Sequence, residues 1–239
     1  METGLYLITE IGFALITLVF FYLLVLEIKK GLLKSSIEPN RQKKIMNRTV
    51  IGLISWTLFV IAWSISGKMK DFSLFPFNMI PILAIPLIAT LIITFSKTFG
   101  QILIHIPQQN LIRLQSFRIF VEILLWALFI QNMAPVQMTF EGRNFDVVSG
   151  ITAIAVAYLV SRNALSKTVL VIWNLACLGL LINIVTVAIL SMPTPLRTFM
   201  NEPANTIVGQ FPIALLPALL VPLAYTLHFF SLRQLSLQK

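Results

Sequence analysis

Seven nearly unbroken apolar stretches run through this chain, and basic residues gather in alternate connections between them. The stretches cover residues 5–26, 49–66, 77–96, 111–131, 146–161, 168–191 and 211–231. A hydrocarbon core about 30 Å thick needs about 20 helical residues to cross it. The runs are about twice as long as a membrane β-strand and do not alternate polar with apolar. Inside lipid the backbone must satisfy its own hydrogen bonds, which leaves the helix. The pattern predicts an all-α, polytopic transmembrane bundle of seven helices, a single transmembrane domain over residues 1–239.

Charge then sets the orientation. Hydrophobic residues make up 57 % of the chain and charged residues 11 %, against about 25 % charged in an ordinary soluble domain. A net charge of +9 on a soluble protein would raise nucleic acid as a partner. Here the charge is sorted by side instead. The connection 27–48 holds Lys29, Lys30, Lys34, Arg41, Lys43, Lys44 and Arg48. Lys97, Arg113, Arg118, Arg162, Lys167, Arg233 and Lys239 fall on the same side, leaving Lys68, Lys70, Arg143 and Arg197 on the other. The richer side is the cytoplasmic one by the positive-inside rule. An odd number of spans then puts the N-terminus outside and the C-terminus in the cytoplasm. The expected partners are membrane lipids, with anionic headgroups at Lys29–Arg48, and no nucleic acid. The first run is expected to be retained, because it lacks the basic lead and small-residue cleavage site of a signal peptide. Cys177 is the one cysteine, which excludes an intrachain disulfide and a thiolate metal cluster.

Polar residues inside the apolar runs are the candidates for chemistry. In the fourth run Gln115, Arg118, Glu122 and Trp126 stand at offsets of one helix face. An unpaired charge at that depth costs at least ~2.5–3.5 kcal/mol, so this face is expected to point into the bundle. Arg118 and Glu122 are four apart, and the spacing predicts that they pair along the helix. The face is read as the floor of a cavity for a polar ligand or a proton. A second cluster, Glu141, Arg143, Asn144 and Asp146, sits at the outer end of the fifth run, with Glu10 at a similar depth on the first. It is read as a helix cap at Asp146 or Asn144 or as the mouth of an outward site. Ser149, Ala153 and Ala157 recur at four-residue spacing, as in close helix packing. Prolines in the third and seventh runs predict kinks.

His105 and His228 lack the spacing of metal or haem ligands, so no metal or cofactor is expected. No Gly-x-Ser-x-Gly, His-Glu-x-x-His or Walker sequence is present, so no catalytic residue is assigned.

The strings TFEGRNFDVVSGITA (Thr139–Ala153), VIWNLACLGLLINIV (Val171–Val185) and FPIALLPALLVPLAYTLHFFSLRQL (Phe211–Leu235) resemble an uncharacterised family of bacterial seven-helix integral membrane proteins. The resemblance implies a multi-pass protein of the bacterial cytoplasmic (inner) membrane and implies no activity. Three function classes fit the residues. The first is a small-molecule or ion transporter, or a ligand-binding protein, built on a polar intramembrane cavity. The second is a structural, accessory or sensory protein without a pocket. The third is a membrane-embedded enzyme acting on a lipid or isoprenoid, which needs two convergent acid–base groups such as Glu10 and Asp146.

Overall fold

The computed structural model describes residues 2–238. The chain is all-helical, with no strand among the described residues. Nine α-helices follow in order among these residues: α1 (Glu2–Lys34), α2 (Pro39–Ile65), α3 (Ile80–Phe95), α4 (Lys97–Leu103), α5 (Gln108–Leu114), α6 (Phe117–Ile130), α7 (Val147–Ser161), α8 (Lys167–Leu190) and α9 (Val221–Leu237). Among the described residues four helices are long and apolar enough to cross a membrane: those at Gly4–Lys34, Pro39–Ile65, Lys167–Leu190 and Leu216–Leu237. The pair α3–α4, bent by 77°, adds a fifth if it counts as one span.

The apolar runs and the helices coincide in place but not in extent. α1 continues past residue 26 to Lys34 and spans about 50 Å at 1.5 Å per residue. Pro39, in the first turn of α2, has the fixed φ that suits a helix start. The basic connection 27–48 is therefore almost wholly helical, because Lys, Arg and Glu are good helix formers. The fourth run is two helices rather than one. At Gln115–Ser116 the amides bond three residues back, Gln115 N to Ile112 O and Ser116 N to Arg113 O, the tighter pattern that marks a local break.

The last helix is the centre of the molecule. A π-helical turn, Leu216–Leu220, leads into α9, which packs against α3, α4, α5 and α8. Pro222 has no N–H to give to the Ala218 carbonyl one turn back. Trp56 Nε1 on α2 donates to that oxygen at 2.9 Å, as expected where a neighbour must re-satisfy a proline-freed carbonyl. On α7 the small residues Ser149, Ala153 and Ala157 are all buried, and the helix lies against α5 and α6. Outward faces of α1 and α8 carry bare Leu, Ile and Val, such as Leu15, Leu18, Ile172 and Ile182. An apolar surface of that extent suits lipid better than water.

Candidate functional site

The path of residues 131–146 positions the site. α6 ends in a Schellman turn: Asn132 is left-handed (φ 56°), its N–H reaches Phe129 O, and Met133 N–H reaches Leu128 O. The chain then reverses and runs back beside α6 without forming a regular helix. A short 3-10 turn occupies Val136–Met138, and Gly142 passes directly over the Val136–Gln137 backbone. A Cβ on Gly142 would stand 2.6 Å from Gln137 Cα, so only glycine fits there. This return brings Asn144 level with Glu122 and Asp146 level with Arg118.

Five side chains meet there. Arg118 Nε lies 2.8 Å from Asp146 Oδ2, a close charge contact rather than an aligned hydrogen bond. Arg118 Nη1 lies 3.0 Å from His228 Nε2. Asn144 Nδ2 sits 2.6 and 2.7 Å from the two oxygens of Glu122, and also donates toward Met138 O at 3.0 Å. Arg118, Glu122 and Asp146 are 1 %, 2 % and 5 % exposed, and Asn144 and His228 not at all.

Donor chemistry fixes the histidine tautomer. A guanidinium only donates, so His228 Nε2 accepts. Nδ1–H then donates to Asn174 Oδ1, 2.9 Å away, and the ring is neutral. The Asn174 amide continues to Ser231 Oγ at 2.9 Å, which also accepts from Gln108 Nε2 at 2.6 Å. A connected polar chain thus runs from Asp146 through Arg118, His228, Asn174 and Ser231 to Gln108 at the start of α5.

A cavity of about 70 Å³ opens beside the cluster. Arg118, Glu122 and Asp146 form its polar end, and side chains such as Leu83, Leu181 and Ile184 form its apolar walls. A single water needs about 10–15 Å³ of such space, so it has room for a few waters or a small ion. Arg118 Nη2 is buried with no protein partner, and a buried guanidinium donor left free in this way favours an acceptor in the cavity.

The sequence reading is corrected at four points. Arg118 pairs with Asp146, not with Glu122 on its own helix, because the returning segment offers a carboxylate from the side. Asp146 stands at the N-cap of α7, but its side chain makes no cap hydrogen bond; it is turned to Arg118 instead. Gln115 and Trp126 do not join the cluster. Gln115 Nε2 donates to Ala224 O on α9 at 3.1 Å, since the α5–α6 break turns it aside, and Trp126 Nε1 donates to Glu141 Oε1. Glu10 is half-buried on α1 and is not among the side-chain partners of Asp146, which are Arg118 and Ser149.

The supposed outer mouth divides in two. Asn144 and Asp146 belong to the buried cluster, whereas Glu141 and Arg143 are exposed, Arg143 lying 5.2 Å from the Phe199 ring. His228, Asn174, Ser231 and Gln108 were missed as site residues. The one hint in the sequence is that His228 and Ser231 lie one helical turn apart in an apolar run. Outside the spans, Arg197 hydrogen-bonds to Glu202 at 2.9 Å and holds its carboxyl below the usual carboxylate range.

Fold and site together define an all-helical protein with apolar outer faces and a buried ionic network, features compatible with a membrane protein. The chain belongs to the family described as a domain of unknown function, DUF8737, whose model matches residues 104–236, more than half of its length. That region contains every member of the polar chain, while α1, α2, α3 and α4 precede it. No curated protein and no solved structure matches the chain.

Proposed function

We propose that this is an integral membrane protein that binds a proton or small cation at Glu122 and Asp146, in the class of ion or small-molecule transport proteins. One observation carries the reading: two buried carboxylates, only one of them in contact with a guanidinium, border the same small cavity. With His228 neutral, the cluster has one negative charge in excess. An uncompensated charge buried away from water costs several kcal/mol, and a proton or cation removes it. The polar chain to Gln108 offers a route from this depth toward the basic side of the molecule.

The test is infrared spectroscopy of the carboxyl C=O stretch in purified protein as pH is changed. Wild type is expected to show a protonated-carboxyl band that titrates, and Glu122→Gln or Asp146→Asn to abolish it. A wild-type protein with neither that band nor a bound cation would overturn the reading. A structural or accessory role is the second reading, favoured by how many members of the network already have protein partners. It predicts that Glu122→Gln changes neither proton uptake nor ion flux in vesicles.

The reading includes seven crossings in one transmembrane unit, an external N-terminus and a cytoplasmic C-terminus, in a bacterial inner membrane. α5 and α6 in series would make the fourth span. α7, about 22 Å long, is short of the hydrocarbon thickness, and residues 139–146 would complete the fifth. Non-helical backbone at that depth is tolerated where protein covers it, and Thr139, Asn144 and Asp146 are buried. In a Cys177→Ser background, Ser36→Cys and Thr198→Cys should react with an impermeant maleimide from opposite faces, Thr198→Cys from outside. Labelling of both from one face would exclude an odd number of crossings between them.

A further inference from the structure

A second, larger space lies on the other side of the molecule. Only 6 % of the most apolar window of α2 is buried, against 72 % for the last helix. α2 leans away from the bundle and leaves an open cleft of about 690 Å³ between itself, α1, α3 and α9. That volume falls in the ~300–1,000 Å³ range of small-molecule sites. The wall formed by α2 is a single helical stripe: Ile45, Arg48, Thr49, Gly52, Leu53 and Trp56.

The cleft is graded from one end to the other. Its deep end, near Trp56, Ile85 and Leu219, is apolar. Its other end, where α2 begins and α3 bends into α4, holds Arg48, Ser96 and Thr98. Arg41 Nη2 donates to Thr98 Oγ1 across that end at 3.0 Å, and Lys44 lies one turn from both arginines. Among the described residues Arg48 and Lys44 have no acidic partner. Gly52 sits midway along the stripe, and a Cβ there would meet nothing within 4 Å, so the missing side chain deepens the cleft.

We propose that this cleft is a binding site for one anionic membrane phospholipid. An acyl chain lies between α2 and α3 toward Trp56, and the phosphate is held by Arg48 with Arg41 and Lys44. Charge complementarity at one end only, with walls along the rest that are mainly apolar and whose Thr90 and Thr226 hydroxyls bond each other, selects an amphiphile over a soluble ligand. This site is separate from the charged cluster and rests on the membrane reading given above.

The test is native mass spectrometry of the detergent-purified chain with equal amounts of phosphatidylglycerol and phosphatidylcholine. Wild type should retain one phosphatidylglycerol per chain with a preference of about fivefold or more, the effect of roughly one basic residue near a headgroup. Arg48→Gln combined with Arg41→Gln and Lys44→Gln should bring that preference to about parity. Gly52→Phe should lose lipid of either kind, while Gly179→Phe, which adds the same ring to an open outward position on α8, should keep it. Equal retention of the two lipids by wild type would overturn the proposal. So would equal lipid on Gly52→Phe and Gly179→Phe, or a second copy of the chain filling the cleft as a dimer. If instead the wild-type protein stays monodisperse without detergent, the membrane reading itself fails.

Discussion

Arg118→Met is expected to lower stability by about 3–5 kcal/mol, the usual cost of removing one partner from a buried charge pair. The loss should appear as a fall in the thermal midpoint on the order of 10 °C, or as failure to accumulate. The cause is specific. Asp146 would lose its ion-pair partner among the described residues, and His228 Nε2 would lose its donor. Both carboxylates would then lie buried with no guanidinium beside them. Adding Asp146→Asn to Arg118→Met should restore part of the loss, because an uncharged amide needs no counter-ion. Adding Glu122→Gln should restore less, since Glu122 still has the Asn144 amide. A thermal scan of Arg118→Met that overlays on wild type would mean that the Arg118–Asp146 contact does not hold the fold.

Gly142→Ala is expected to cost about 2.5–6 kcal/mol, although it adds a single methyl group. Overpacking alone costs about 1–3 kcal/mol. The new carbon would press on the backbone at Val136 and Gln137, which belongs to the adjacent turn and cannot swing aside as a side chain would. Residues 139–146 would have to lift, carrying Asn144 away from Glu122. A hydrogen bond to a charged group is worth about 1.5–3 kcal/mol, so the two effects reinforce each other. Hydrogen exchange should show the amides of residues 139–150 losing protection ahead of α8 and α9. Uniform protection with an unchanged midpoint would show that the crossing at Gly142 is looser than described.

These expectations depend on contacts that hydropathy does not encode. The charged pair on α6 is visible at once, because Arg118 and Glu122 interrupt an apolar run at helical spacing. Their partners are not. Spacing along one helix favours a pair between them, yet a carboxylate arriving from residue 146 competes with that local partner and takes the guanidinium. Asn144 and Asp146 precede a helix and read as caps; Asn144 Oδ1 does accept from the Asp146 N–H, but the Asn144 amide and the Asp146 carboxylate are turned to Glu122 and Arg118. His228 reads as an interfacial histidine because position in a run indicates depth and not which neighbour it faces. Trp126 lies on the nominal face of Glu122, but its indole goes to Glu141 at the rim, and Gln115 leaves that face at the α5–α6 break.

The order of apolar and basic residues determined by itself that the chain is helical, that its outer surface is nonpolar, and that charge on α6 needs a buried partner. Those are properties of short segments, set by transfer free energy and backbone hydrogen bonding. Only the tertiary structure decided which groups meet, which helices break, and where space remains. The reversal at residues 131–146, the leaning of α2 and the burial of α9 each balance many weak contacts between segments far apart in the chain, so no single segment carries them.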